Sequence, residues 1–164
     1  MGDISRVSTV STREVWKNEA LDFTPWLLAN AEALGDVLGM DLDLRATEHP
    51  VGDFSLDLIG EDLASGEEVI VENQLARSDH SHLGQILTYA GGTDPVNIVW
   101  ITESFRPEHR AALDWLNERT DEGTRFFGVE VRAIRIDDSA PAPLFTVVAN
   151  PNSWRKEVRS ATGT

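Results

Sequence analysis

The apolar positions change period several times along the chain, and each change marks an element. Residues 5–10 alternate weakly and predict a short lead-in strand. Ser11-Thr12-Arg13-Glu14 has capping-box spacing and predicts a helical turn. At Thr24-Pro25, Thr24 suits a cap and Pro25 the first helical position. Leu27, Leu28, Ala31, Leu34 and Leu38 then mark one face of a helix that ends near Gly39. Residues 41–48 alternate through Leu42 and Leu44 and read as a strand. Segments 54–60 and 68–75 read as a hairpin, with Ser65-Gly66 as the turn signal. Ser78 is placed to cap a helix running to Ala90, before Gly91-Gly92. Residues 96–101 form a continuous apolar run, as in a strand covered on both faces. A second amphipathic helix is predicted over 107–119, a long strand over 126–136, a last strand over 143–149, and a frayed tail over 155–164. Antiparallel strands followed by a β-α-β crossover predict an α/β fold, a mixed central sheet with helices on both faces.

Composition narrows the function classes. A chain of 164 residues with 41% hydrophobic content suits a single domain over 1–164 with a core that needs no staple. There is no cysteine, which excludes a disulfide framework, a thiol nucleophile and a thiolate zinc site. The 28 acidic and 14 basic residues give a net charge of −14, which counts against avid, non-specific nucleic-acid binding and leaves carboxylates available for a divalent cation. Met1 to Val10 lacks the pattern of a signal peptide, and the apolar runs are too short to span a bilayer. A cytoplasmic protein without a membrane partner is expected.

One constellation carries chemistry. In Val69-Ile-Val-Glu-Asn-Gln-Leu75, strand alternation puts Ile70, Glu72 and Gln74 on one face and Val69, Val71, Asn73 and Leu75 on the other. On the preceding strand Ser55, Asp57 and Ile59 share a face. If the two strands pair, Asp57 and Glu72 converge, and two such carboxylates repel unless a cation or a proton lies between them. Oxygen ligands without sulfur favour Mg²⁺ or Mn²⁺ over zinc. Gln85 and Tyr89, four residues apart, share one face of the following helix.

Asp57 followed by Glu72-Asn73-Gln74 resembles the D…(E/D)xK pattern of the PD-(D/E)xK nuclease superfamily, and Gln85-Ile-Leu-Thr-Tyr89 resembles the QxxxY motif of its RecB-like branch. The segment is also similar to a group of uncharacterised bacterial proteins with a D…ExQ core, from about Arg13 to Trp154, including Val15 to Glu19 and Phe23 to Trp26. The resemblance implies a restriction-endonuclease-like fold with an αβββαβ core plus a further helix and strands. It implies a Mg²⁺- or Mn²⁺-dependent nuclease, an endo- or exodeoxyribonuclease whose partner is nucleic acid, DNA first, and that pairs as a homodimer. Asp57 and Glu72 would hold the metal with the carbonyl of Asn73. Gln74 stands where the common pattern has lysine. It can orient water but carries no charge and is no general base. Gln85 and Tyr89 would contact the nucleic-acid backbone or support the acidic site. The same residues also fit a scaffold that binds or assembles without turnover, or the nuclease portion of a longer protein.

Around this core, Glu19, Glu32 and Glu48 are candidates for an additional acid, and Arg77 for a phosphate contact. His80 and His82, two apart, do not share a helix face, and surface or capping roles are expected of them. His109 shows no partner in the sequence. Trp100 and Trp115 are expected in the core, and Trp16, Trp26 and Trp154 are candidates for a subunit interface. No GxxxxGK[ST], GxSxG or HExxH motif is present.

Overall fold

The computed structural model describes residues 2–46, 57–152 and 161. The hairpin predicted around Ser65-Gly66 is the centre of the architecture. Strand β3 (Leu58–Asp62) pairs antiparallel with β4 (Glu67–Arg77), with Leu58 opposite Val71 and Asp62 opposite Glu67. Gly66 takes φ +76°, a left-handed conformation that a residue with a Cβ resists, so the turn closes there. Strand β2 (Leu42–Ala46) pairs antiparallel with the other edge of β3. Gly60 makes that pairing tight, since a Cβ on it would lie 2.0 Å from the Asp43 carbonyl oxygen.

After β4 the chain crosses through α4 (His80–Thr93) to β5 (Asn97–Ser104), which lies parallel to β4. It crosses again through α5 (Pro107–Arg119) to β6 (Arg125–Ile136), parallel to β5. The last strand, β7 (Ala142–Ala149), folds back antiparallel on β6. The lead-in strand β1 (Val7–Val10) pairs with the far end of β6. Among the described residues this is one seven-stranded mixed sheet, ordered β1-β6-β5-β4-β3-β2 with β7 against β6. The predicted α/β class and the αβββαβ order of the core, three antiparallel strands then a parallel crossover, are observed.

The sheet separates two apolar layers. On one side Val69, Val71, Val99, Ile101 and Val129 pack with Phe23, Leu27 and Leu34 from the N-terminal helical region. On the other, Ile70, Ile98 and Trp100 pack under Ile86 and Tyr89 of α4 and Leu113 of α5. The central strands are covered on both faces, which is why 96–101 reads as an unbroken apolar run.

The N-terminal helix differs from expectation. A π-helical turn at Glu19–Phe23 leads into α2 (Thr24–Ala29), Asn30 breaks the helix with φ −130° and ψ 41°, and α3 (Ala31–Leu38) follows. A short helix α1 (Thr12–Val15) precedes them, as the capping-box spacing predicts, although Ser11 makes no side-chain cap. The side chain of Asn30 donates to the Trp26 carbonyl at 2.8 Å and ends the first segment locally. Thr24 does not cap, because the chain enters α2 already helical. Its hydroxyl instead accepts from Asn73 Nδ2 at 3.1 Å. Asp79, not Ser78, caps α4, and that helix runs on through Gly91-Gly92 to Thr93.

Of the two tryptophans expected in the core, one lies at the surface. Trp115 is 55% exposed on the outer face of α5, with the Arg119 guanidinium 5.6 Å from its ring. Trp16 is buried and meets Phe23 edge-on, so it has no surface to offer a subunit, while half-buried Trp26 stacks on Phe23 and Phe145. Trp100 is fully buried as expected. Trp154 lies outside the described residues. No helix among the described residues is long and apolar enough to cross a membrane.

Candidate active site

The register of the central hairpin decides the site. Leu58 faces Val71, so Asp57, one residue before β3, falls beside Glu72. Asp57 Oδ2 accepts from the Asn73 backbone N–H at 2.7 Å, which pins the carboxylate to β4. Glu72 is only 4% exposed, and its Oε2 is buried without a hydrogen-bond partner. A carboxylate oxygen in that state costs free energy unless a proton or a cation meets it.

Glu19 arrives from the opposite side of the chain. Its Oε1 accepts from the Leu75 backbone N–H, a contact that carries the π-helical turn to the end of β4. The Arg13 guanidinium donates to the Leu75 carbonyl at 2.7 Å and fixes the same edge. Glu19 is thus the upstream acid that the fold brings to the pair. Glu32 is exposed on α3. Glu48 lies outside the described residues.

The carboxyls disturb one another. Burial pushes Asp57 up to about 6, with the Asn73 N–H and His82 opposing and Glu19 adding to the rise. Burial, then the charges of Asp57 and Glu19, push Glu72 up to about 9. Near neutral pH the metal-free site therefore retains a proton that two ordinary carboxylates would have lost. A divalent cation would take the place of that proton. Among the described residues no three His, Asp or Glu side chains are close enough to enclose an ion by themselves. Two carboxylates, a main-chain carbonyl and water make a donor set that suits a hard cation, and the unpartnered Glu72 oxygen gives it a place.

Asn73 points to the other layer, as alternation predicts, and is fully buried. Its side-chain Oδ1 has no partner, so any role toward a cation belongs to its backbone. Gln74 is engaged on every side. Its Nε2 donates to the Arg77 carbonyl at 2.8 Å and to Asp79 Oδ2 at 2.9 Å, and its Oε1 accepts from Trp100 Nε1 at 3.2 Å. It ties the end of β4 to the start of α4 and to the core. The Arg77 side chain is exposed just beyond the β4 bulge. Gln85 is half-buried on α4, one turn from Tyr89. Tyr89 is 3% exposed within the layer of Ile70 and Trp100, so it can support the site from inside but has no surface to offer a phosphate.

His82 takes a capping place, as the sequence suggests, whereas the sequence does not show the partners of His109. His82 Nδ1 lies 2.8 Å from Asp79 Oδ1, which also accepts the His82 backbone N–H at 2.8 Å. The available signal was Asp79 and His82 at cap and third helical positions, a spacing that joins side chains as a capping box does. His109 has partners after all. It is buried, with Nδ1 2.7 Å from Ser78 Oγ and Nε2 2.6 Å from His80 Nδ1. Burial, and then the charge of His80, lower its pKa. Ser78 Oγ accepts from the Arg106 N–H, so this chain locks the loops that follow β4 and β5 together. No local pattern reveals it, because Ser78 and His109 are 31 residues apart.

No family model and no curated protein matches the chain. It is similar to a repair endonuclease from Pyrococcus abyssi, at 15% identity over 57% of this chain and 41% of that one, with a TM-score of 0.47. It is also similar to a chain of an EndoMS–dsDNA2 complex, at 17% identity over 66% of this chain and 43% of that one, with a TM-score of 0.48. The chain spans less than half the length of either. The chemistry of the site is read from its own residues.

Proposed function

We propose that the protein is a divalent-metal-dependent nuclease that hydrolyses phosphodiester bonds of DNA. The observation that carries this reading is the buried, unpartnered Glu72 oxygen beside Asp57. A structure that needed only solubility from its acids would leave them in water. Asp57 and Glu72, with the carbonyl of Asn73, would hold Mg²⁺ or Mn²⁺, and Glu19 would add negative charge behind them. When bound, such a cation polarises a phosphoryl oxygen and makes a coordinated water more acidic.

The remaining residues would supply contacts to the nucleic-acid backbone. Arg77 ends β4 and Arg106 follows β5, the two strand ends being joined by the Ser78–Arg106 hydrogen bond, and both side chains are exposed. Arg106 is paired with Glu108 at 3.3 Å, so on a protein of net charge −14 Arg77 is the readier of the two for a phosphate contact. Gln85, half-buried on α4, can reach a nucleic-acid backbone from the side.

A second reading, a scaffold that binds without cutting, is favoured by one observation. Both amide hydrogens of Gln74 are spent inside the protein, so the third motif position offers no free donor to a substrate. Cleavage of labelled single-stranded DNA, double-stranded DNA and RNA with Mg²⁺, Mn²⁺ or EDTA separates the two. The nuclease reading expects metal-dependent cleavage of DNA that Asp57→Ala and Glu72→Ala each abolish. Mn²⁺ binding without cleavage of any substrate would favour the scaffold. Cleavage that survives both substitutions would remove the site assignment.

A further inference from the structure

Asp79 and His82 form a pair that the metal-dependent reading leaves unused. Helix α4 covers the sheet face of Ile70, Glu72 and Gln74, with Ile86 and Tyr89 packed on Ile70 and Trp100. His82 precedes Ile86 by one helical turn and so stands on the same side of α4, toward the carboxylate end of β4. Its side chain is 26% exposed, open to a bound molecule but not free in solvent.

Hydrogen bonds fix the ring. Asp79 Oδ1 accepts the His82 backbone N–H and lies 2.8 Å from Nδ1, while Asp79 Oδ2 accepts from Gln74 at 2.9 Å. Burial opposes ionisation of Asp79, but the bonds from the His82 backbone and ring, its charge and the Gln74 amide together hold the carboxyl below its usual range. An ionised carboxylate has no hydrogen to give, so Nδ1 carries it. A neutral ring in that tautomer keeps the lone pair of Nε2 as its acceptor. The charge of His82 also acts, weakly, on Asp57. Gln74, two residues from Glu72 on the same face, has no basic atom and no spare N–H.

We propose that His82, oriented by Asp79, accepts the proton of the attacking water at this site, the task that a glutamine at the third motif position cannot perform. The proposal rests on the nuclease reading. In the step, one O–H bond of the water breaks and its proton passes to His82 Nε2, while the oxygen forms a bond to phosphorus. The P–O bond to the leaving ester oxygen breaks, its electron pair goes with that oxygen, and solvent supplies the leaving group's proton. The imidazolium is stabilised by the Asp79 carboxylate. Gln74 is a positioning residue that acts through Asp79.

Two measurements on the full chain test this. The first is ring-nitrogen NMR of the metal-free protein at a pH where His82 is neutral. The Nδ1–H tautomer is expected, with a shift toward Nε2–H in Asp79→Asn. A wild-type ring protonated at Nε2 overturns the proposal. The second is cleavage of a DNA oligonucleotide with Mn²⁺ by His82→Ala and His82→Gln. Both should lower kcat about 10²–10⁴-fold with KM and Ca²⁺-supported oligonucleotide binding unchanged, and added imidazole should restore part of the His82→Ala rate. Glutamine keeps a polar side chain of comparable reach but accepts no proton, so rescue by His82→Gln would show a merely structural role. Wild-type rates in either variant overturn the proposal and leave Asp57 and Glu72 untouched. A wild-type protein that cuts no DNA overturns the nuclease reading beneath it.

Discussion

Glu72→Gln should make the metal-free protein more stable at pH 8. Glu72 is nearly fully buried, and burial together with Asp57 and Glu19 raises its pKa from an ordinary 4.5 to about 9. As pH rises through that window the unfolded chain releases a proton that the folded state keeps. Stability contributed at low pH is therefore lost between 4.5 and about 9. By pH 8, about 3.5 units above the ordinary value of 4.5, the loss amounts to about 5 kcal/mol at most, at 1.4 kcal/mol for each pH unit. Glutamine resembles the protonated acid and does not titrate, so it avoids the loss. The two proteins should be of similar stability near pH 4 and separate by roughly 10 °C in Tm at pH 8, at the usual 2–4 °C per kcal/mol for a chain of this size. Asp57, raised to about 6, gives both proteins a smaller decline between 3.8 and that value. The assay is thermal denaturation from pH 4 to 9 in EDTA and again in Mn²⁺. With Mn²⁺ the order should reverse, because the wild type gains a ligand-bound state that the amide supports poorly. A Glu72→Gln protein less stable than wild type at pH 8 in EDTA would refute the argument that this carboxyl is held against its own charge.

Gln74→Ala removes three hydrogen bonds and leaves Trp100 Nε1 without its acceptor, so denaturant melts should show a loss of about 2–3 kcal/mol. Its Mn²⁺ affinity by calorimetry should be preserved, because the amide is not a metal donor. Gly60→Ala forces a Cβ to within 2.0 Å of a β2 carbonyl, and the resulting backbone shift should cost more than about 2 kcal/mol by the same assay. Arg77→Ala should weaken oligonucleotide binding alike across sequences and reduce the salt slope by about one.

Much of this architecture is legible because its signals are local. Period-two alternation and Ser65-Gly66 locate the hairpin, and the hairpin alone places Asp57 beside Glu72. The face shared by Glu72 and Gln74 follows from the pleat. What escapes the sequence depends on contacts made across it. The break at Asn30 interrupts a helical pattern whose apolar period continues on both sides, so periodicity cannot show it. Glu19 could not be chosen over Glu32 because the choice depends on a π-helical turn reaching Leu75. Trp115 occupies what reads as an apolar stripe, yet the stripe that buries α5 is set by His109, Leu113 and Asn117. The engagement of Gln74 depends on a bulge after it that turns Arg77 and Asp79 back toward its amide.

The central claim is that Asp57 and Glu72 together hold a divalent cation. Crystals of the protein soaked in Mn²⁺ and measured for anomalous scattering test it most directly. The account predicts one strong anomalous peak in contact with carboxylate oxygens of both Asp57 and Glu72, with Glu72 Oε2 no longer unpartnered, and no peak there in Asp57→Ala. A fully soaked crystal with no peak at this pair, or with Mn²⁺ bound only elsewhere, would contradict it.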